Sequence, residues 1–373
     1  IVLRTAVRDL HPTALVRLAP GLKGLRTISS AVSAEALFNL NAAGELIDGR
    51  MTVEVGRGSV RLSQAAGAVP TQLDHGRFAL RFENGRSDIV IEPSTISWGG
   101  GNELVFDGKV SPGKVEGEWG YVLEAKRGHF VEQSGANTRQ PVTQWSMKGR
   151  VNPGAGRLQV DEAVLAVAGG SVVMNGVLET TGSTHISYEG RVGPGPIGAL
   201  PYLWPNAIAP DARQWVRANV LGGKLTGGQF GAAWKEENAS GYSRAAARAE
   251  DPSNISDFKQ SVVLHGADLQ FLSPVGKVPI FVPKTLLRLS GSNLEVSMPT
   301  GAMEIGKTRV LGLKQVQFEV PDVTDPRATG ELTFKLSGRL RDGVSLLKVT
   351  PIGGKLPAGA LDGILQRADG KLD

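Results

Sequence analysis

Cysteine is absent from the 373 residues, and aromatic residues make up only 6% of them. Without cysteine the chain has no thiol nucleophile, no thiolate metal ligand and no disulfide, although secreted and cytosolic proteins can both do without it. Few aromatic residues combined with 49 glycines favour thin layers and many turns over one thick core. No apolar run approaches the roughly 20 residues of a membrane-spanning helix.

An excess of charge of one sign is also missing. The 41 Lys and Arg residues are interspersed with 36 Asp and Glu residues, so the net charge is only +5. Because nucleic-acid binding needs a concentrated basic surface, we do not expect it here. The sequence begins at Ile1 inside a strand-like pattern without an initiator Met, so we expect a piece of a longer protein with its targeting segment upstream.

Short segments with alternating apolar and polar residues, separated by glycines, dominate the chain. Met51, Val53 and Val55 illustrate the pattern, and Asn84-Gly85 is a typical hairpin turn. Such alternation predicts strands with one buried face and one wet face. The expected fold is therefore mainly β: an elongated, curled antiparallel sheet that forms an open hydrophobic groove, with a few short helices. We expect helical turns at 12–18 and 33–40 and a terminal helix at 358–367.

One stretch, 201–230, departs from the alternation. Its spacing predicts an amphipathic helix of two to three turns with Ala212, Trp215 and Val216 inward, ended by Gly222 and Gly223. The opposite side would carry Arg213, Gln214 and Arg217. Trp204, Trp215 and Val216 would form either a helical plug between two sheet halves or a gate over a groove. The domain prediction follows: β-meander halves at 1–200 and 231–373 around the insert at 201–230, or one continuous groove domain.

Two nucleotide-binding motifs match formally, but their context argues against both. Gly301–Thr308 fits the phosphate-binding P-loop pattern, yet the residues after it alternate as a strand instead of beginning a helix. Gly193–Gly198 fits the dinucleotide pattern, but Pro194 and Pro196 remove backbone donors. The five histidines lie far apart in the sequence. We therefore predict no catalytic residues, no metal site and no cofactor, and expect a protein that is not an enzyme.

The alternating strands raise the question of what covers their apolar face. A second sheet would make a sandwich, whereas a sheet that curls without closing would leave a trough able to hold acyl chains. With about 20 to 25 strands at about 4.8 Å spacing, such a sheet would run about 100 Å. The candidate groove residues are Met51, Val53, Val55, Val60, Leu62, Phe78, Leu80, Phe82, Ile89, Ile91, Leu104, Phe106, Leu165, Val167, Val172, Met174, Leu294, Val296, Met298, Phe318, Val320, Leu332, Phe334 and Leu336.

The segment YLWPNAIAPDARQWVRANVLGGKLTGGQF resembles the proline-rich lead, tryptophan helix and Gly-Gly of the AsmA-like family. The segments 262–299 and 331–351 also resemble that family's strand units. The resemblance implies a periplasm-spanning protein of Gram-negative bacteria, anchored in the inner membrane by an N-terminal helix that this sequence lacks. It also implies a β-groove that conducts phospholipid between the inner and outer membranes.

The functional hypothesis is therefore a lipid-conducting β-groove segment. Its expected partners are a phospholipid or another acyl-chain lipid, the inner membrane through a segment absent here, and an outer-membrane or periplasmic protein. The alternative is a structural or adhesive β-sandwich that binds a protein or glycan on its outer face. That alternative predicts a closed, dry core and no copurifying lipid.

Overall fold

The computed structural model describes residues 1–12, 28–60, 70–83, 88–131, 138–181, 184–204, 210–236, 259–273, 278–305, 309–323, 325, 327–348, 355, 361 and 370–372. The chain divides into two compact units. Residues 1–190 and 232–258 form the first unit, and residues 191–231 and 259–373 form the second. The predicted fold class is confirmed, since the described residues are mainly strands of open antiparallel sheet with few short helices.

The strands of the first unit form a meander in chain order. From β1 to β10 each strand pairs antiparallel with the next. Their bounds are β1 (Val2–Leu10), β2 (Ile28–Leu40), β3 (Leu46–Val60), β4 (Thr71–Glu83), β5 (Ile89–Trp98), β6 (Asn102–Pro112), β7 (Trp119–Val131), β8 (Arg139–Asn152), β9 (Arg157–Val167) and β10 (Gly170–Glu179), followed by β11 (Thr184–Val192).

The second unit combines a second meander with the helices whose bounds the structure describes. In chain order these elements are β12 (Gly195–Pro196), a 3₁₀ turn (Ile197–Ala199), α1 (Leu200–Leu203), α2 (Pro210–Asn219), β13 (Val220–Glu236), β14 (Lys259–Leu272), β15 (Pro279–Ser290), β16 (Asn293–Ile305), β17 (Arg309–Val320), β18 (Glu331–Arg339), α3 (Leu340–Lys348) and β19 (Lys371–Leu372). Strands β14 to β18 pair antiparallel in sequence order. Among the described residues, no helix is both long and apolar enough to cross a bilayer.

Three local predictions were wrong. Ser33–Leu40 lies within β2, because β1 and β3 hydrogen-bond to both of its edges. Helix α2 ends at Asn219, before the two glycines, where the Asn219 side chain donates to the Trp215 carbonyl at 2.8 Å. Helix α3 was not predicted at all, although Asp342 in its first turn and Lys348 in its last turn complement the helix dipole.

The prolines at 279 and 283 predict either an edge strand or a kinked crossing, and the segment does not lie at an edge. Strand β15 lies between β14 and β16. Pro279 is its first residue, where a missing donor is tolerated. Pro283 faces an irregularity in β14, where Asp268 takes a left-handed φ of 51°. Residues 13–18 and most of 358–367, for which helices were predicted, lie outside the described residues, as does the Asn84-Gly85 turn.

Candidate functional site

The strand register of the first unit places apolar side chains on one face across nine strands. Directly paired residues share a face of the sheet, so chains of pairings define rows that cross the strands. We call one such chain the middle row, with one residue from each strand β2 to β10. Its members are Ala36, Met51, Leu80, Ile91, Gly108, Leu123, Met147, Ala163 and Met174.

Two further rows flank the middle row at a two-residue step along most strands, and at a three-residue step where a register shift occurs on β5 (to Ser94) and on β9 (to Val160). The first flanking row contains Phe38, Gly49, Phe82, Ile89, Val110, Tyr121, Gly149, Val160 and Gly176. The second flanking row contains Ala34, Val53, Phe78, Ser94, Phe106, Ala125, Trp145, Leu165 and Val172. We call the surface formed by the three rows the apolar face.

Aromatic rings on this face bridge strands that are not neighbours. The ring centroids of Phe78 and Phe106 lie 6.2 Å apart and those of Phe106 and Trp145 5.7 Å apart, although each pair skips one strand. Phe38 and Phe82 do the same at 5.9 Å. Strands two apart in a sheet are separated by about 9.6 Å. The rings must therefore lean over the strand between them.

Small residues on the intervening strands make this leaning possible. Phe38 and Phe82 both pair with Gly49, and a Cβ at Gly49 would collide with the Phe38 ring. The fully buried Ser94 pairs with Phe106 between the two phenylalanine rings. Its hydroxyl donates to the Glu92 carbonyl at 2.8 Å and accepts from the Ala79 amide at 3.0 Å, which satisfies the polar group under the rings.

The reverse face of the same sheet carries charged side chains in cross-strand ion pairs. Lys148 and Glu162, directly opposite in β8 and β9, are 2.9 Å apart, and Lys126 and Asp107 are 3.2 Å apart. Further pairs join Arg81 to Glu92, Lys109 to Asp88 and Arg150 to Asp161. Exposed pairs of this type contribute little to stability. They nevertheless identify the side of the sheet that faces water.

Most members of all three rows are half-buried. In the middle row this holds for every residue except the buried Ala36, so the row is partly open to solvent. In the flanking rows Phe106 and Tyr121 are each only 7% exposed, whereas Phe38, Phe78 and Trp145 are half-buried. The described helices of known bounds all belong to the second unit. The apolar face is therefore partly open to solvent, with its deepest packing around Phe106 and Tyr121.

Tyr121 shows how dry the packed part is. Its hydroxyl leans over Gly149 and donates to the Gln159 carbonyl at 3.0 Å. Burial, together with the nearby Asp161 carboxylate, raises the pKa of Tyr121 to about 12. Burial also raises the pKa of Tyr188 in β11. Both phenols therefore stay neutral at physiological pH and add no charge to this surface.

In the second unit, protein atoms cover much of the corresponding face. Leu346 of α3 packs into a buried cluster with strand residues that include Met298, Leu311 and Val316. Met298, a predicted groove residue, is only 8% exposed and lies within that cluster. Val296 and Leu336 pack against the same cluster. On β18, by contrast, Leu332 and Phe334 are 47% and 39% exposed.

The α1–α2 region covers a second cluster in this unit. Val192, Ile197, Leu200 and Leu225 form it, and Trp204 and Val216 pack against it. Trp215, expected to anchor the helix, is instead 42% exposed.

Arg213, expected to lie on the outer side of α2, is half-buried and its Nε donates to the Pro201 carbonyl at 2.9 Å. Burial lowers the pKa of Arg213, repulsion by Arg217 lowers it further, and Tyr202 acts in the opposite direction. The arginine thus joins α2 to α1, while Val216 supplies the packing contact.

The remaining predicted residues follow the same register. In the first unit Val55, Leu104 and Val167 lie on the apolar side one step beyond the second flanking row, and Val60 continues β3. In the second unit Leu294 pairs with Val320, and Phe318 pairs with Leu332. Leu62 lies outside the described residues. Sequence reasoning missed Leu123, Met147 and Trp145, although their two-residue spacing on β7 and β8 matched the pattern used elsewhere.

Neither nucleotide motif has the structure it would need. Ile305 pairs with Arg309, so the two strands around 306–308 form a hairpin with no helix after the glycines. Gly195 and Pro196 pair with Leu225 and Lys224, and a 3₁₀ turn follows them. In the described part of the chain, no group of three or more His, Cys, Asp or Glu residues could hold a metal ion.

Comparison with known proteins found no family model, no curated protein and no solved structure that matches this chain. The resemblance to the AsmA-like family therefore stays a prediction.

Proposed function

We propose that the chain is a lipid-binding segment whose apolar face conducts phospholipid acyl chains. The observation that carries this proposal is the continuous apolar face over nine paired strands, partly open to solvent, with ion pairs on its reverse. Within the AsmA-like interpretation, the lipid would move between the inner and outer membranes through the periplasm.

The chemistry of the lining favours a hydrocarbon tail over a polar ligand. The three rows contain no charged residue, and their deepest hydroxyl, that of Ser94, already bonds to the backbone. A polar ligand would lose hydrogen bonds to water on this surface without gaining new ones. An acyl chain makes no hydrogen bonds to water and so loses none on this surface, and the lipid headgroup can remain in water.

The energetics suit passage of the lipid more than permanent retention. Burying a methylene group from water stabilises by about 0.8 kcal/mol, so an acyl tail is strongly held against release into water. Transfer from a bilayer to the apolar face, however, exchanges one apolar environment for another. The net free energy is then small, and a tail can both enter and leave.

Native mass spectrometry of the full chain in detergent-free buffer tests this proposal. After incubation with phosphatidylethanolamine and phosphatidylglycerol vesicles, we expect adducts of phospholipid mass. Val53→Asp and Leu80→Asp place a carboxylate on the apolar face and should remove most adducts. Val122→Asp and Val173→Asp place it on exposed reverse-face positions and should leave them unchanged.

Loss of adducts in all four variants would indicate a general folding effect, which far-ultraviolet circular dichroism would reveal. Adducts that persist in both apolar-face variants of a folded chain would refute the proposal. A chain that never carries lipid would instead favour the structural or adhesive alternative.

A further inference from the structure

We infer that the acyl chain lies along the middle row, between the two aromatic flanking rows, and that the site selects flexible hydrocarbon over fused-ring lipid. This inference rests on the proposed function and adds the path of the tail and the class of lipid. It follows from two independent properties of the row: its continuity and its composition.

Continuity distinguishes the middle row from the second flanking row. Every step of the middle row from Ala36 to Met174 is a direct pairing, and the register shifts that start at Ile91 and Met174 fall outside the row. The second flanking row is broken between β4 and β5, where the register shifts beside Phe78 and Ser94. Eight strand spacings of about 4.8 Å give the middle row a length of about 38 Å along the sheet.

That length exceeds what one tail needs. The hydrocarbon core of a bilayer is about 30 Å thick, so a tail in one leaflet spans about 15 Å. A tail lying along the row would therefore be supported over its whole length. It could also advance across strands without leaving the apolar surface.

The composition of the middle row is aliphatic and adaptable. Three of the five methionines of the chain, Met51, Met147 and Met174, belong to it, and it contains no aromatic and no charged residue. Methionine has three rotatable bonds and a polarizable thioether, so it can adjust to a chain that moves past it. Gly108 and Ala163 alternate with the larger side chains, and the Leu123 side chain already lies against the Gly108 backbone.

The flanking rows bound this strip with stiff side chains. Phe106 and Tyr121 are held by burial and by contacts with Trp145 and Gln159. Each flanking row lies about 6.8 Å from the middle row, because two residues of antiparallel strand rise by that amount. An unbranched chain can lie within this strip. A rigid fused-ring system would have to rest on the aromatic rows, whose rings already contact one another across the strands.

Photo-crosslinking with a benzophenone amino acid tests the path with matched positions. Met51 and Val55 are half-buried on the same strand and the same face, but only Met51 belongs to the middle row. Leu123 and Val122 are neighbours on β7 and point to opposite faces. The full chain carrying each label is irradiated with palmitoyl-oleoyl phosphatidylglycerol vesicles, and adducts are quantified by mass spectrometry.

We expect adduct yields several-fold higher at Met51 and Leu123 than at Val55 and Val122. In vesicles that also contain a sterol, phospholipid adducts should predominate over sterol adducts at Leu123. Equal yields at Met51 and Val55, while native mass spectrometry still detects bound lipid, would overturn the path and leave the proposed function standing. Sterol adducts as frequent as phospholipid adducts would overturn the lipid class. Absence of lipid in both measurements would overturn the inference together with the proposed function.

Discussion

A methyl group added at Gly49 should destabilise the first unit, because the Phe38 ring already occupies that space. A Cβ at residue 49 would meet Phe38 Cδ1 and Cε1, so the ring must move away and lose its contact with Phe82. Losing an aromatic pair costs about 0.5–1.5 kcal/mol, and overpacking costs about 1–3 kcal/mol. Replacing glycine by alanine returns about 0.4–1 kcal/mol through the unfolded state. The expected net loss for Gly49→Ala is therefore about 1–3 kcal/mol.

Chemical denaturation followed by tryptophan fluorescence measures this loss, and hydrogen exchange of β2–β4 peptides locates it. Gly222→Ala is the matched control, because a Cβ there meets nothing within 4 Å. Phe38→Leu removes the colliding ring, so Gly49→Ala should cost at least about 1 kcal/mol less in that background. Gly49→Ala could destabilise no more than Gly222→Ala, or could destabilise equally in the Phe38→Leu background. Either result would show that the Phe38 ring does not lean into the space above Gly49.

Three further predictions concern other parts of the chain. Leu346→Ala should destabilise the second unit by about 2–4 kcal/mol, measured by hydrogen exchange of β16 and β17, because it removes the side chain that α3 packs into the buried cluster. Lys148→Ala should change the unfolding free energy by less than about 0.5 kcal/mol, because its pair with Glu162 is exposed. The pKa of Tyr121 is raised to about 12 in the folded chain, which means that folding favours the neutral phenol. The stability that this phenol contributes is therefore complete below the ordinary pKa of 10.0 and is lost as pH rises toward 12. Tyr121→Phe should abolish that part of the alkaline pH dependence, and an ultraviolet titration should lose one phenol that titrates near 12. A titration that is unchanged would contradict the assignment.

Alternation was sufficient to predict most of the sheet. Met51, Val53 and Phe78 fell on one face because a strand repeats every two residues and the reverse positions carried charges. The same reasoning failed at Ser33–Leu40, where Leu37 and Leu40 also fit a helix. Pairing with two neighbouring strands decided that segment, and such pairing is not visible in a local window.

The placement of helices was harder to predict, because it depends on which surface they cover. Val216 and Trp215 are adjacent and both apolar, yet only Val216 packs against a buried cluster. Helix α3 follows β18 without a break, and its Leu346 completes a buried cluster whose other members come from β15, β16, β17 and the adjoining Val278. Strand register also determines where the aromatic rings can lean. Gly49 makes room for the rings of Phe38 and Phe82 because it is paired with both residues.

The most direct measurement of acyl-chain contact uses Trp145, a half-buried residue of the second flanking row. A folded variant that keeps Trp145 as its one tryptophan is mixed with phospholipid carrying a nitroxide either on the acyl chain or on the headgroup. The account predicts strong fluorescence quenching by the tail label and weak quenching by the headgroup label. Equal quenching by the two labels, or none by either, would contradict the claim that this face holds hydrocarbon tails.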